Sequence, residues 1–319
     1  MKIGFIGLGN VGGKLAGSLI RNGHDVTVRD LDPTAAQPFL DRGAAWGDSP
    51  RAMIEACEAV ITCLPSPAAS AAVMEAEDGI LAGMAPGKIW MEMSTTDEAE
   101  VKRLAALVEA KGGAAVDCPV SGGCHRADTG NISIFAGCER ETFERILPLL
   151  KSLGRRILHT GPLGSASVLK VMTNYLATAN LLTCCEALVT MKAAGMDLAT
   201  TYEAIRISSG TSFVHETESQ IILNGSRDIS FTMDLVKKDI GLFQAIAERA
   251  GVPLEISPKM VEIFDDGIAR YGERELSPNI IRRLEDATGL SIVADGFPAE
   301  MTDEEPEEEG YEVVRGGRA

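Results

Sequence analysis

The chain has 319 residues, of which 45% are hydrophobic and 24% are charged, a length that suits about two globular domains. Its formal net charge of −16 argues against a nucleic-acid scaffold, because binding phosphates requires clustered lysine and arginine. Nine of the acidic residues, with no basic residue among them, lie between positions 295 and 314. More than half of the net negative charge therefore comes from this segment.

The first half of the chain alternates between short apolar strands and amphipathic helices. The first strand is predicted at 2–6 and the first helix at 10–22, where Val11, Leu15 and Leu19 recur every four residues and mark a buried face. Further strands are predicted at 25–29, 59–63, 88–93, 114–117, 132–136 and 156–159. Repeated βαβ units of this kind predict an α/β fold, with a doubly wound, mostly parallel Rossmann sheet and helices on both faces.

The pattern changes near residue 161, and the second half is predicted to be all-helical. A helix at 165–194 has about twice the usual length and is largely apolar, which is typical of a core spine shared between subunits. We therefore expect a homodimer or homotetramer. Shorter helices are predicted at 197–208, 211–222, 233–250 and 257–271.

A glycine-rich loop joins the first predicted strand to the first predicted helix. Gly7, Gly9 and Gly12 fit the pattern G-x-G-x-x-G in that context. The first glycine permits the tight turn, the second lets the backbone approach a pyrophosphate, and the third lets helix and strand pack closely. Backbone N–H groups at the helix N-terminus favour the phosphates. The residues expected to bind a dinucleotide here are Gly7, Leu8, Gly9, Asn10, Val11 and Gly12.

An acidic residue ends the second predicted strand, and it bears on the choice of cofactor. Asp30 stands eighteen residues after Gly12, where a carboxylate accepts hydrogen bonds from a ribose diol. Such a carboxylate repels a 2′-phosphate, and Leu31 and Asp32 supply no cation to bind one. Arg29 is the exception, and strand alternation is expected to turn it away. We therefore expect NAD, with NADP less favoured.

Nucleotide binding does not name a reaction, which depends on the other chemistry-bearing residues. The four tyrosines lack a lysine four positions later, and the four histidines lack metal-ligand spacing, so we expect no metal site. Seven cysteines without a CxxC pair predict buried, reduced thiols. No signal peptide is visible after Met1, and the apolar stretch at 171–185 is too short for a membrane span. We expect a soluble cytoplasmic protein.

Three further segments, at 117–123, 164–174 and 231–239, follow the glycine loop in order. The first contains Ser121-Gly122-Gly123, the second contains Lys170 and Asn174 four residues apart, and the third ends in Lys237-Lys238-Asp239. Together these segments resemble the β-hydroxyacid dehydrogenase family, which includes 3-hydroxyisobutyrate dehydrogenases and tartronate semialdehyde reductases. The resemblance extends over residues 1–285. It implies a Rossmann domain joined to an all-helical domain, in agreement with the element pattern.

The resemblance also implies a role for each motif. Lys170 matches the catalytic lysine, which is the proton donor and acceptor at the substrate oxygen, and Asn174 matches the residue that orients the substrate. Ser121, Gly122 and Gly123 match the loop that holds the substrate carboxylate. Residues that match cofactor-binding positions are Leu64, Pro65, Ser94, Thr95 and Lys238. The implied reaction is hydride transfer between NAD(H) and a small β-hydroxy acid or its semialdehyde, and burial among apolar neighbours suits a lysine that must release its proton.

Structural roles compete with these functional ones. Lys170 is alternatively a solvent-facing lysine of an amphipathic helix, Asn174 an interhelical hydrogen-bonding residue, and Lys238 the partner of a salt bridge near Asp239. The Ser121 loop is alternatively a plain turn. Thr95 has capping-box spacing to the glutamate at position 98, so it is alternatively, or in addition, a helix cap.

Departures from the family pattern leave the substrate open. Cys124, His125 and Arg126 follow the glycine pair, where the family usually has small residues; surface exposure is the simpler interpretation, and contact with the substrate the other. Two other functions compete with the dehydrogenase. An imine reductase on the same scaffold is disfavoured by the presence of Lys170, and a nucleotide-sensing protein without turnover has no need of a proton shuttle.

The predicted boundaries are an NAD-binding Rossmann domain at 1–161, an all-helical substrate and oligomerisation domain at 162–290, and an acidic extension at 291–319. Within the extension, the low-complexity stretch at 300–309 is interpreted as solvated coil. Phe297 and residues 311–314 flank it and are candidates for docking. The alternative is that the extension covers the cleft of a neighbouring subunit.

Overall fold

A computed structural model describes residues 1–314 and 316, and these divide into two compact units. The first unit consists of Met1–Lys170 together with the tail that begins at Asp303, and the second of Val171–Thr302. The predicted α/β fold, with a Rossmann sheet followed by helices, is confirmed.

The first unit contains a ten-stranded sheet in the order β10-β9-β8-β6-β5-β4-β1-β2-β3, with β7 paired to β8. The strands are β1 Lys2–Ile6, β2 Asp25–Arg29, β3 Ala45–Trp46, β4 Ala59–Thr62, β5 Ile89–Glu92, β6 Ala114–Asp117, β7 Val120–Ser121, β8 Ser133–Gly137, β9 Arg156–Gly161 and β10 Tyr311–Glu312. All pairs are parallel except those of β8 with β6 and β7. The carboxyl ends of β1, β2, β4, β5 and β6 therefore lie along one edge, where ligands of open α/β sheets bind.

Helices cover this sheet and bury its apolar residues. They are α1 Asn10–Arg21, α2 Gln37–Leu40, α3 Pro50–Ala56, α4 Pro67–Glu75, α5 Ile80–Gly83, α6 Glu98–Glu109, α7 Gly123–Asp128 and α8 Arg140–Lys151. Ile3 and Phe5 of β1 are completely buried, because a parallel strand at the centre of the sheet has both faces covered. Leu15 and Leu19 of α1 pack into the same core, as the four-residue spacing predicts.

The second unit is helical. Its helices are α9 Ser165–Ala193, which begins in the first unit, then α10 Leu198–Arg206, α11 Phe213–Asn224, α12 Met233–Arg249, α13 Ile256–Tyr271 and α14 Arg282–Thr288. Leu188, Ile222, Ile240 and Phe264 form its core. Asp197 and Ser212 cap α10 and α11 with their side chains, which fixes where these helices begin. Among the described residues, no helix is both long enough and apolar enough to span a membrane.

Residues 300–309 form coil and most of them are exposed, as the composition predicts, but their acidic side chains are held by ion pairs. Ile292 is buried in the second unit, and the ring of Phe297 meets that of Tyr202 edge to face. Farther on, β10 adds to the edge of β9, where the Tyr311 N–H donates to the Arg155 carbonyl at 2.9 Å. The acidic side chains between these segments form ion pairs with arginines and lysines that lie far away in the sequence.

Candidate active site

The three glycines of the nucleotide loop stand in different steric surroundings. Gly7 has a φ of +100°, and a Cβ atom there would lie 2.3 Å from the Cys63 carbonyl oxygen. A Cβ on Gly12 would lie 2.1 Å from the Gly7 carbonyl oxygen, so α1 packs against β1 only with glycine at this position. By contrast, a Cβ on Gly9 would meet nothing within 4 Å among the described atoms. Two glycines thus close the turn, while the third leaves space beside the backbone.

Asp30 connects the end of β2 to this loop. Its Oδ2 accepts a hydrogen bond from the Leu8 N–H at 2.6 Å, and its Oδ1 accepts one from the Asp32 N–H at 3.0 Å. Arg29 is directed elsewhere, since its Nη1 donates to the Gly47 and Asp48 carbonyls at 2.7 Å each. Leu31 is 99% exposed. The carboxylate of Asp30 therefore lies beside the loop, and neither Arg29 nor Leu31 places a positive charge there.

The loops after β4 and β5 are connected by a buried hydrogen-bond chain. The Leu64 N–H donates to Ser94 Oγ at 2.7 Å, and the Ser94 hydroxyl donates in turn to the Glu92 carboxylate. The Ser94 N–H donates to the same Glu92 oxygen at 2.9 Å. Glu92 is completely buried, and this burial raises its pKa. These hydrogen bonds hold the loop after β4 against the loop after β5, and both loops are predicted to bind the cofactor.

The predicted capping box at Thr95 is wrong. The residue that caps α6 is Asp97, whose Oδ1 accepts a hydrogen bond from the Ala99 N–H at 2.8 Å. Asp97 directly precedes α6, so the N-cap position belongs to Asp97 and not to Thr95. Thr95 lies in the loop that follows Glu92 and Ser94.

The Ser121-Gly122-Gly123 segment is a tight turn between β7 and α7. Gly122 and Gly123 have φ values of +132° and +85°, a region that strongly favours glycine. A Cβ on Gly123 would also lie 2.9 Å from the ring of His125. Burial lowers the pKa of His125, and the Arg126 guanidinium lowers it further. Arg126 itself donates to the Glu305 carboxylate at 3.1 Å.

Asp117 joins the end of β6 to the beginning of α9. Its two carboxylate oxygens accept hydrogen bonds from the Gly164 and Ser167 N–H groups, both at 2.8 Å. Burial raises the pKa of Asp117, while these hydrogen bonds act in the opposite direction. Lys170 follows on α9 and is buried, with 8% of its surface exposed. The solvent-facing alternative for Lys170 is therefore wrong.

In the second unit, Asp239 brings together two of the predicted site residues. The Asn174 side-chain amide donates to Asp239 Oδ2 at 2.6 Å, which connects α9 to α12. Lys238 forms a salt bridge with Asp239 Oδ1 at 2.9 Å. The interhelical hydrogen bond that is the structural alternative for Asn174 is thus present, and so is the salt bridge that is the alternative for Lys238. The sequence pattern indicates no role for Asp117 or Asp239, although each is a charged residue inside a segment that carries the resemblance.

Comparison with known proteins shows the family to which the chain belongs. A family model described as the NAD binding domain of 6-phosphogluconate dehydrogenase matches residues 2–161, and one described as the NAD-binding part of NADP-dependent 3-hydroxyisobutyrate dehydrogenase matches residues 164–284. The chain is also 32% identical to 2-(hydroxymethyl)glutarate dehydrogenase from Eubacterium barkeri, over 92% of this chain and 97% of that protein. It belongs to the β-hydroxyacid dehydrogenase family.

Two further relatives agree with this assignment. NAD-dependent L-serine dehydrogenase from Pseudomonas aeruginosa is 30% identical, over 90% of this chain and 98% of that protein. The crystal structure of a 3-hydroxyisobutyrate dehydrogenase from Salmonella typhimurium aligns with a TM-score of 0.81 and 26% identity, over 89% of this chain and 99% of that one. The predicted oxidoreductase class, the nicotinamide cofactor and the hydroxy-acid dehydrogenase function are confirmed at the level of the family.

Proposed function

We propose that this enzyme oxidises a small 3-hydroxy acid, or reduces the matching semialdehyde, with Lys170 as the group that moves the proton. The observation that carries the proposal is the burial of Lys170 on α9, a helix whose first turn is held by Asp117. The substrate loop at Ser121 starts four residues after the same aspartate. One strand end thus supports both the proton-transferring helix and the carboxylate-binding loop.

The glycine loop fits a dinucleotide, because the space beside Gly9 lets a pyrophosphate approach the backbone. The residues proposed to hold the cofactor are Gly7, Leu8, Gly9, Asn10, Val11, Gly12, Asp30, Leu64, Pro65, Thr95 and Lys238. When bound, NAD supplies the acceptor for the hydride. The carboxylate of Asp30 and the engagement of Arg29 with the Gly47 and Asp48 carbonyls favour NAD over NADP.

The protein side of the reaction is binding, orientation and proton transfer. Ser121 and the backbone N–H groups of Gly122 and Gly123 bind the substrate carboxylate. Asn174 orients the reacting hydroxyl, and Asp239 fixes the amide of Asn174 through its hydrogen bond. In the oxidative direction, Lys170 accepts the hydroxyl proton as the carbonyl forms, and its burial keeps it away from bulk water.

The substrate class follows from what the named relatives share. 3-Hydroxyisobutyrate, L-serine and 2-(hydroxymethyl)glutarate each carry a CH₂OH group on the carbon next to a carboxylate. We extend this arrangement to the present enzyme, with the second substituent on that carbon as the variable part. We propose His125 and Arg126, which follow the carboxylate loop, as the residues that face this substituent.

The remaining expectations form part of the same proposal. Residues 1–161 bind the nucleotide, 162–290 bind substrate and form a homodimer or homotetramer, and 291–319 are an extension. A cytoplasmic location is supported by the cysteines, since all seven lie among the described residues and none forms a disulfide. The net charge of −16 supports a protein that binds neither nucleic acid nor an anionic membrane surface.

The test is a panel of C3 to C5 hydroxy acids and semialdehydes with NAD(H) and NADP(H), followed by Lys170→Met. We expect turnover of one 2-substituted 3-hydroxy acid, and a loss of about 10²–10⁴ in kcat in the variant because general acid–base catalysis contributes that much. The NAD dissociation constant stays within about twofold, because a residue that acts only on the proton adds little to nucleotide binding. Lys192→Met, an exposed lysine in the last turn of the same helix, is the control and keeps full activity. Full activity of Lys170→Met would exclude the proton-transfer role.

A further inference from the structure

The acidic stretch from Asp303 to Glu312, here named the strap, lies along a basic surface of the first unit. Its glutamates form ion pairs with bases from four separate parts of the chain. These bases are Arg21, Arg126, Arg140, Lys151, Arg155 and Arg156. Because opposite charges meet along its whole length, the strap is a docked segment of this unit.

The first part of the strap binds α7 and the turn that follows it. Asp303 Oδ2 accepts hydrogen bonds from the Thr129 hydroxyl at 2.5 Å and from the Asn131 amide at 2.7 Å. The same Asn131 amide donates to the Glu305 carbonyl at 2.8 Å. Asn131 is completely buried, so these strap oxygens satisfy donors that have no access to water. The Glu305 carboxylate accepts from Arg126 and also pairs with Arg156 at 3.3 Å.

The last part of the strap is fixed by backbone contacts, which determine its position along the unit. A Cβ on Gly310 would lie 2.1 Å from the Gly154 carbonyl oxygen, so only glycine allows the two backbones to cross. The Gly310 N–H donates to the Lys151 carbonyl at 3.2 Å, and β10 then pairs in register with β9. These backbone contacts fix the register of the strap and so determine where Asp303 and Glu305 lie along the first unit.

The helix bound by the strap is the one that carries the proposed substrate loop. α7 has only six residues, too few to be stable without tertiary contacts, and it begins at Gly123 directly after Ser121 and Gly122. We propose that Asp303 and Glu305 are positioning residues, which hold the Ser121-Gly122-Gly123 loop, through α7, in the conformation that binds the substrate carboxylate. This inference rests on the proposed function for the identity of the ligand, but not for the ordering of the loop.

The test compares two double variants that each remove two carboxylates from the strap. Asp303→Ala/Glu305→Ala removes the carboxylate contacts to Arg126, Thr129 and Asn131, together with the ion pair of Glu305 with Arg156, and keeps the hydrogen bond from Asn131 to the Glu305 backbone carbonyl. Glu309→Ala/Glu312→Ala, the matched control, removes ion pairs to Lys151 and Arg140 of α8. Hydrogen exchange of residues 121–132 and steady-state kinetics are measured for both variants and for the unaltered enzyme.

We expect exchange at 121–132 to quicken by about tenfold in the first variant, since local opening follows the lost hydrogen bonds. The KM for the hydroxy acid rises by about tenfold, while kcat and the KM for NAD stay within about twofold, because the lost interaction is made equally to substrate and transition state. The control keeps the exchange rate and the KM of the unaltered enzyme.

An unchanged exchange rate at 121–132, or an equal rise of KM in both variants, would overturn the inference. If the unaltered enzyme oxidises no hydroxy acid, the proposed function fails, and the exchange comparison alone then decides whether the strap orders the loop. Asp303→Asn, which keeps one acceptor oxygen, replaces the double variant if the latter does not fold, and it shifts both readouts in the same direction by a smaller factor.

Discussion

The anchor of the proton-transferring helix makes a measurable prediction. Asp117→Ala removes the carboxylate that accepts the Gly164 and Ser167 N–H groups, and leaves both donors buried without it. Each stranded donor costs about 1–3 kcal/mol. Ionised Asp117 is itself disfavoured by burial, as its raised pKa indicates, so part of this loss is offset. We expect a net destabilisation of about 3 kcal/mol, which lowers the melting temperature of a unit of this size by about 6–12 °C.

The same substitution frees the first turn of α9 and so misplaces Lys170. We expect kcat for the hydroxy acid to fall by about 10–100-fold, because small errors in the position of a catalytic group have large effects on rate. Asp197→Ala is the control, since Asp197 also caps a helix by accepting from a backbone N–H, that of Thr200 at 2.7 Å. That variant loses about 1 kcal/mol and no activity. Melting and kcat of Asp117→Ala that match those of the control would refute the anchoring role.

Two further predictions concern the nucleotide site and its buried acid. In the double variant Asp30→Ser/Leu31→Arg, a carboxylate that repels the 2′-phosphate is exchanged for a cation that binds it. We expect the ratio of kcat/KM with NADP to kcat/KM with NAD to rise by about 100-fold. An unchanged ratio would show that Asp30 does not govern cofactor choice. For Glu92, burial raises the native pKa, so the folded state binds more protons than the unfolded state and stability falls as the pH rises from 4.5 through that raised pKa. Glu92→Gln cannot titrate, and urea unfolding between pH 5 and 8 should therefore show a weaker decline than in the unaltered enzyme; parallel curves would contradict this.

Much of the fold could be predicted from local patterns in the sequence. The strand at 2–6 and the helix that starts at residue 10 are found where the apolar runs and four-residue spacing place them. Two-residue strands such as β3, β7 and β10 were missed, because two residues show no periodicity. The spacing of Thr95 to the glutamate at position 98 fits a capping box and so offers Thr95 as a cap of α6, while the aspartate beside the helix makes the hydrogen bond.

The site was less accessible to sequence reasoning, because its supports join distant parts of the chain. Asp117 contacts residues about fifty positions later, and Asp239 contacts Asn174 sixty-five positions earlier. The ion pairs of the strap are hidden from the sequence for the same reason. A run of acids resembles solvated coil until the bases opposite it are known, and Arg21 lies 286 positions before its partner Glu307. Local composition describes a segment, whereas complementary charge is a property of two segments.

The first unit is discontinuous in the chain, since Met1–Lys170 is completed only by the residues from Asp303 onward. During synthesis, β9 therefore remains an open sheet edge until about 150 more residues have left the ribosome, a delay of about 7–30 s at elongation rates of about 5–20 residues per second. Throughout that interval the edge is a template for pairing with another nascent chain. The segment that follows the helical unit thus protects the strand, and a chain that stops before this segment would keep β9 open and be prone to aggregate.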